Sequence, residues 1–166
     1  LLLDAARLKL ASGDGLSLDD LMTLSKETTM TDNRTEDLAA AYAAVANKHF
    51  SAADQAILAA NGYRGMDKPD AEWDYLIKEA ADLMAIGNPA SPDAMDLARR
   101  VMMKVFEATG GDPALTLKMK TVACEVNEQP AFAAASNTSN AMMDFVAKAY
   151  GAAIAAGIMP KPDNAG

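Results

Sequence analysis

SPDAMDLARRVMMKVFEATGGDP, residues 91–113, is the stretch from which the fold is read. Ser91 can accept a hydrogen bond as a helix N-cap. Pro92 suits the first helical position, where its missing N–H costs nothing. Met95, Ala98, Met102, Val105 and Phe106 then recur at helical spacing. Gly110-Gly111 supplies the left-handed residues that stop a helix, and Asp112-Pro113 starts the next. A whole helix, with both its ends, is written into these residues.

The same grammar extends in both directions. Downstream, Leu115, Met119, Val122, Ala123 and Val126 form one apolar face until Pro130 breaks the helix. A short turn around Phe132 leads to a last helix, about Ser139 to Ala156, which carries Met142, Phe145, Val146, Ala149 and Ala153. Gly157 stops it, and Met159 to Gly166 reads as a loose tail. Upstream, Pro69 sits as a first-turn residue before Trp73, Leu76, Ile77, Ala80, Leu83 and Met84, with Gly87 as the stop. Ser51 and Asp54 form a capping signal for a helix that ends at Asn61-Gly62. Before that, a helix from about Glu36 to His49 sets Leu38, Tyr42, Val45 and His49 on one face. Ser17 with Asp20 opens a short helix through about Lys26, and Leu1 to Ala11 reads as the end of a helix stopped at Ser12-Gly13-Asp14-Gly15. The count is about seven helices with short connections and no strand. The fold class is all-α. The polar stretch from Thr28 onward divides a segment 1–30 from a globular unit 31–158, followed by a tail 159–166.

Composition agrees. Hydrophobic residues make up 51% of the 166, enough for a packed core. Good helix formers dominate and β-branched residues are few. The net charge of −8 repels a phosphate backbone, so this chain by itself is not expected to bind DNA. Cys124 is the lone cysteine, which rules out an internal disulfide and fits a reducing cytoplasm. No apolar run reaches the ~18 residues of a membrane span, and no signal peptide is visible, so no membrane is expected. Leu1 stands where a Met would begin a natural chain, so we expect sequence upstream.

The residues offer little to catalysis. His49 and Cys124 lack the two further ligands that zinc needs, so no metal is expected. His49 reads as packing or capping at a helix end. Cys124 reads as a structural thiol or, more sharply, as a reactive one. No phosphate loop, nucleophile elbow or acid/base couple stands out, so neither an enzyme nor a cofactor is expected. The 11 methionines fill a core in the plain reading. In the functional one they make a pliable apolar cavity, with Trp73, Tyr42, Phe50, Phe106, Phe145 and Tyr150 as aromatic walls.

One ordered set of motifs carries a resemblance. Trp73-Asp74-Tyr75-Leu76 is followed by Gly87-Asn88-Pro89, Ser91-Pro92, Leu97-Ala98-Arg99-Arg100 and Gly110-Gly111-Asp112-Pro113, and later by Gln129-Pro130-Ala131-Phe132. This order resembles the TipA-type antibiotic-recognition domain found at the C-terminal end of many MerR-family regulators, over roughly residues 36 to 156. Leu1 to Ala11 is similar to the end of the MerR dimerisation helix, and Leu18 to Met30 to its linker helix. Two departures stand out. Val101 occupies a place where many members have an aromatic residue or His. Thiopeptide-binding members carry a reactive Cys on the helix after Gly-Asp-Pro, and alignment on Phe132 puts Thr121 there, with Cys124 on the same helix.

The resemblance implies a globin-like helical bundle with a cleft for bulky, largely apolar and often peptide-like antibiotics. It implies a homodimeric, full-length activator that meets DNA only through a helix-turn-helix domain absent from this chain. The expected cleft lies between the helix of Trp73 and Ile77, that of Val101, Met102 and Phe106, that of Met119, Thr121 and Cys124, and the last helix with Phe145. Tyr42, His49 and Phe50 belong to a region, Met22 to Asn61, expected to fold over the ligand. Two other readings compete: a stand-alone drug-sequestering protein, and a dimerisation module with a filled core and no pocket of ~300 Å³.

Overall fold

The computed structural model describes Met22, residues 36–65 and residues 70–159. Expectations for the dimerisation helix, the linker helix (Met22 apart), Pro69 and the tail beyond Met159 lie outside these residues. The chain divides into two compact units, Leu1–Ala40 and Ala41–Gly166. In the first, Met22 and residues 36–40 are helical. Everything below concerns the second.

Every regular element described is an α-helix. We number them α1 (residues 36–49, of which those from 41 on fall in the second unit), α2 (Ala52–Ala60), α3 (Ala71–Ile86), α4 (Pro92–Thr109), α5 (Pro113–Asn127), α6 (Pro130–Ser136) and α7 (Asn140–Ala155). The second unit is an all-α multi-helix bundle. Its helix starts are chemically explicit. Ser51 and Asp54 close a reciprocal capping box on α2. The Asp70 carboxylate accepts from the N–H groups of Glu72 and Trp73, Ser91 from Ala94, Asp112 from Leu115, and Ser139 from Met142. Gly87 and Gly110 end α3 and α4 in the left-handed conformation.

α4 is the central element. It packs most extensively on α7 and also touches α2, α3 and α5. Small residues make this closeness possible: Ala94 and Ala98 on α4, and Ala149 and Ala153 on α7, are wholly buried. Phe145 fits among Ala94, Ala98 and Ala149, with Leu83, Met84, Val146 and Tyr150 around them. Beside this cluster, Leu76, Ala80, Leu97 and Met142 form a second, flanked by Trp73, Ile77 and Val101. Each fully buried Leu or Phe contributes about 1.5–3 kcal/mol. An ion pair links α3 and α4 at the surface, where Arg100 bonds both Glu79 and Asp96. Those carboxylates raise the Arg100 pKa against the opposing effect of burial.

α3 begins at Ala71 under an Asp70 cap. Two local expectations change. Pro130 does break α5, but it also opens α6, a helix of 7 residues where a turn was expected; proline is well placed at that first position. Met159, expected in the loose tail, is buried, and its N–H donates to the carbonyl of Ala153.

Candidate functional site

Two of the recesses on the described surface bear on function. The first, about 460 Å³, lies where the segment 61–65 after α2, the start of α3 and the last turns of α4 converge. Asn61 fixes its back wall, its side-chain amide donating to the carbonyl of Ala108 at 3.1 Å. Tyr63, Arg64, Trp73, Lys104 and Glu107 are among its lining residues. Lys104 is the centre of its electrostatics. The ammonium lies 2.9 Å from Asp70 Oδ2 and 2.8 Å from Glu72 Oε2, and 5.7 Å from the centroid of the Trp73 ring. Burial alone would lower the Lys104 pKa, but the bonds to Glu72 and Asp70 outweigh it and raise it. In return, the Lys104 bond holds the Asp70 carboxyl below the usual range.

The two tyrosines stiffen one side of this recess. Tyr63 turns its hydroxyl onto that of Tyr42 on α1. Burial raises the pKa of both phenols. Gly65 passes so close that a Cβ there would stand 3.0 Å from Tyr42 Cε1, at a φ of +58° that disfavours side chains in any case.

The second recess, about 540 Å³, runs along α5, and its described lining is Leu117, Lys120, Thr121, Cys124, Glu125 and the cap residue Glu128. The spacing of these positions marks one face of a single helix. At its edge, Glu125 accepts from Lys48 Nζ and from His49 Nε2, each at 2.6 Å. A carboxylate only accepts, so Nε2 must carry the hydrogen. Lys48 first, and then His49, holds the Glu125 carboxyl below its ordinary pKa.

The twelve expected site residues therefore separate. Trp73 lines the first recess, and Tyr42 reaches it through Tyr63. Thr121 and Cys124 line the second, and His49 touches its edge through Glu125. Phe50 and Phe145 are buried core, and Ile77 and Val101 flank a core cluster. Met102, Phe106 and Met119 are half-buried and line neither recess. Sequence reading missed Lys104, Asp70, Glu72, Tyr63 and Arg64. The usable signal was the trio Asp70, Glu72 and Trp73 at a helix start, where two carboxylates closely precede the protein's single Trp. Among the described residues, no group of three His, Cys, Asp or Glu side chains is placed to hold a metal ion, and no helix is long and apolar enough to cross a membrane.

Comparison of the chain with family models, with curated proteins and with solved structures gives no match.

Proposed function

We propose that this chain is the ligand-sensing effector domain of a MerR-type transcriptional activator of the TipA antibiotic-recognition kind, globin-like in its helix arrangement. It binds bulky, largely apolar compounds and acts on DNA only through a separate helix-turn-helix domain in a homodimer. The reading rests on one observation: residues from most members of the ordered motif set cap, stop or fill the helices of the bundle. Gly87 stops α3, Ser91 and Pro92 start α4, Leu97 and Ala98 are wholly buried at its centre, and Gly110 through Pro113 turn α4 into α5. Ligand affinity comes mainly from apolar burial, at about 25 cal/mol per Å² before ordering costs. We take the Trp73 recess as the way in, since it has the size of a small-molecule site and draws its walls from two helices and the segment 61–65 that follows α2.

A thermal-shift panel of thiopeptides, albicidin-like compounds and general antibiotics tests this. A ligand at 100 times its Kd adds about 2.7 kcal/mol of apparent stability. For a domain of this size that is a rise of roughly 5–10 °C. A panel without any shift removes the sensor reading.

A further inference from the structure

In the Trp73 recess an aromatic face and two carboxylates already converge on one cation, the ammonium of Lys104. We infer that this recess is a binding site for organic ammonium compounds, in which a ligand cation takes the place that the Lys104 side chain fills in its absence. The inference deepens the proposed function and rests on it for Trp73 as a ligand wall.

Three observations carry it. The first is convergence: Asp70 and Glu72 come from the start of α3, Lys104 from α4, and both carboxylates meet the Lys104 ammonium, which lies over the ring of Trp73. Indole is the strongest of the side-chain rings for cations, and quaternary ammonium groups are recognised in just such aromatic settings. The second is space. A helix-cap ion pair needs no cavity, yet about 460 Å³ opens beside this one, with Tyr63 as a second aromatic lining residue. The third is charge. Among the described lining residues, Asp70, Glu72 and Glu107 face Arg64 and Lys104, three carboxylates against two cationic groups. An anionic ligand would have to break both carboxylate bonds of Lys104 and then sit in an excess of negative charge. A cationic ligand only displaces the tip of a flexible four-carbon stem, which can turn outward to water. Asp70 and Glu72 then hold the ligand instead of the lysine.

The chain has a single tryptophan, so all its tryptophan emission comes from a residue that lines this recess. Benzyltrimethylammonium, benzyl alcohol and benzenesulfonate are titrated into the full chain, each followed by Trp73 emission. The expected result is a saturable change with benzyltrimethylammonium, at least ten-fold tighter than with the neutral or anionic probe. Lys104→Met vacates the cation position and tightens that binding several-fold. Glu72→Gln weakens it, and so does Asp70→Asn, which keeps a capping side chain. Circular dichroism checks that each variant is folded, and if Lys104→Met fails to fold, Glu72→Gln at its exposed position carries the test. Equal response to the three probes, no saturable change with the cation, or indifference to both carboxylate substitutions overturns the inference. The two readings fail separately. Thermal shifts from neutral or anionic antibiotics with no cation response sink only this site, whereas a cation response with a silent antibiotic panel sinks only the sensor.

Discussion

The two recesses are similar in volume and opposite in construction. The one along α5 is the larger, yet its described walls come from one helix face and its cap. The one at Trp73 is smaller, but the segment 61–65 after α2, the start of α3 and the last turns of α4 meet in it. A ligand in the Trp73 recess is held from several directions, and the groups that meet it are fixed by a cap, a side-chain amide hydrogen bond and two ion-pair contacts. A ligand on α5 meets Leu117, Thr121 and Cys124 in a row, all from one helix among the described residues. Volume alone therefore ranks the two wrongly; convergence of independently anchored elements is what makes the Trp73 recess the better candidate.

The sharpest way to break that contrast is a pair of leucines. Leu97 is 0% exposed in the cluster behind Trp73, while Leu117 is 64% exposed in the α5 recess. Leu97→Ala leaves a cavity in the core that supports α3 and α4, and is expected to cost about 2–5 kcal/mol in urea unfolding. Leu117→Ala is expected to stay within about 0.5 kcal/mol of the parent. Similar losses would mean that α5 is covered on that face after all, and the contrast between the recesses would fall.

A smaller effect separates contact from backbone on the Trp73 side. Gly62 and Gly65 both have left-handed φ, +79° and +58°, but a Cβ at Gly62 meets nothing within 4 Å whereas one at Gly65 meets the Tyr42 ring. Alanine at either position should cost about 1–2 kcal/mol from the backbone alone. Gly65→Ala is expected to exceed Gly62→Ala, and to disturb Trp73 emission as the Tyr42–Tyr63 pair shifts. Equal losses in thermal unfolding would show that the tyrosine side of the recess is soft.

These contrasts also mark what could be read from sequence. Helix ends were legible because caps and stops are local chemistry: Ser91, Asp112, Gly87 and Gly110 act within a few residues of themselves. Pro130 was read only as a breaker, because a proline stops the preceding helix and starts the following one with the same residue. The site was less legible. Lys104 lies off the apolar face of α4 and reads as a solvated lysine; its bond to Glu72 spans 32 residues and exists only because α3 and α4 pack together. Phe145 looked like a cavity wall, but Ala94, Ala98 and Ala149 leave room for its ring inside the core. A run of alanines does not say from sequence which large residue it was made small to admit.

The least of the expected effects concerns the tie between the two regions. Lys118 on α5 bonds Asp54 on α2 at 2.6 Å, so the helix that leads into the wall of the Trp73 recess is tied to the helix that forms the other. That bond, followed by those from the Ser51 side chain and backbone, lowers the Asp54 pKa from 3.8 to about 2. A carboxyl depressed on folding stabilises the fold fully above its unfolded pKa, and the contribution is lost as pH falls through the folded value. The tie is therefore intact above pH 4 and weakens from there toward pH 2. Lys118→Met removes the largest cause of the depression but leaves the Ser51 cap, so its stability should fall less steeply over this window than the parent's. Urea midpoints at pH 5 and pH 2.5 for both proteins measure the difference. Parallel declines would mean that Asp54 serves only its own helix cap, and that the two recesses are mechanically independent.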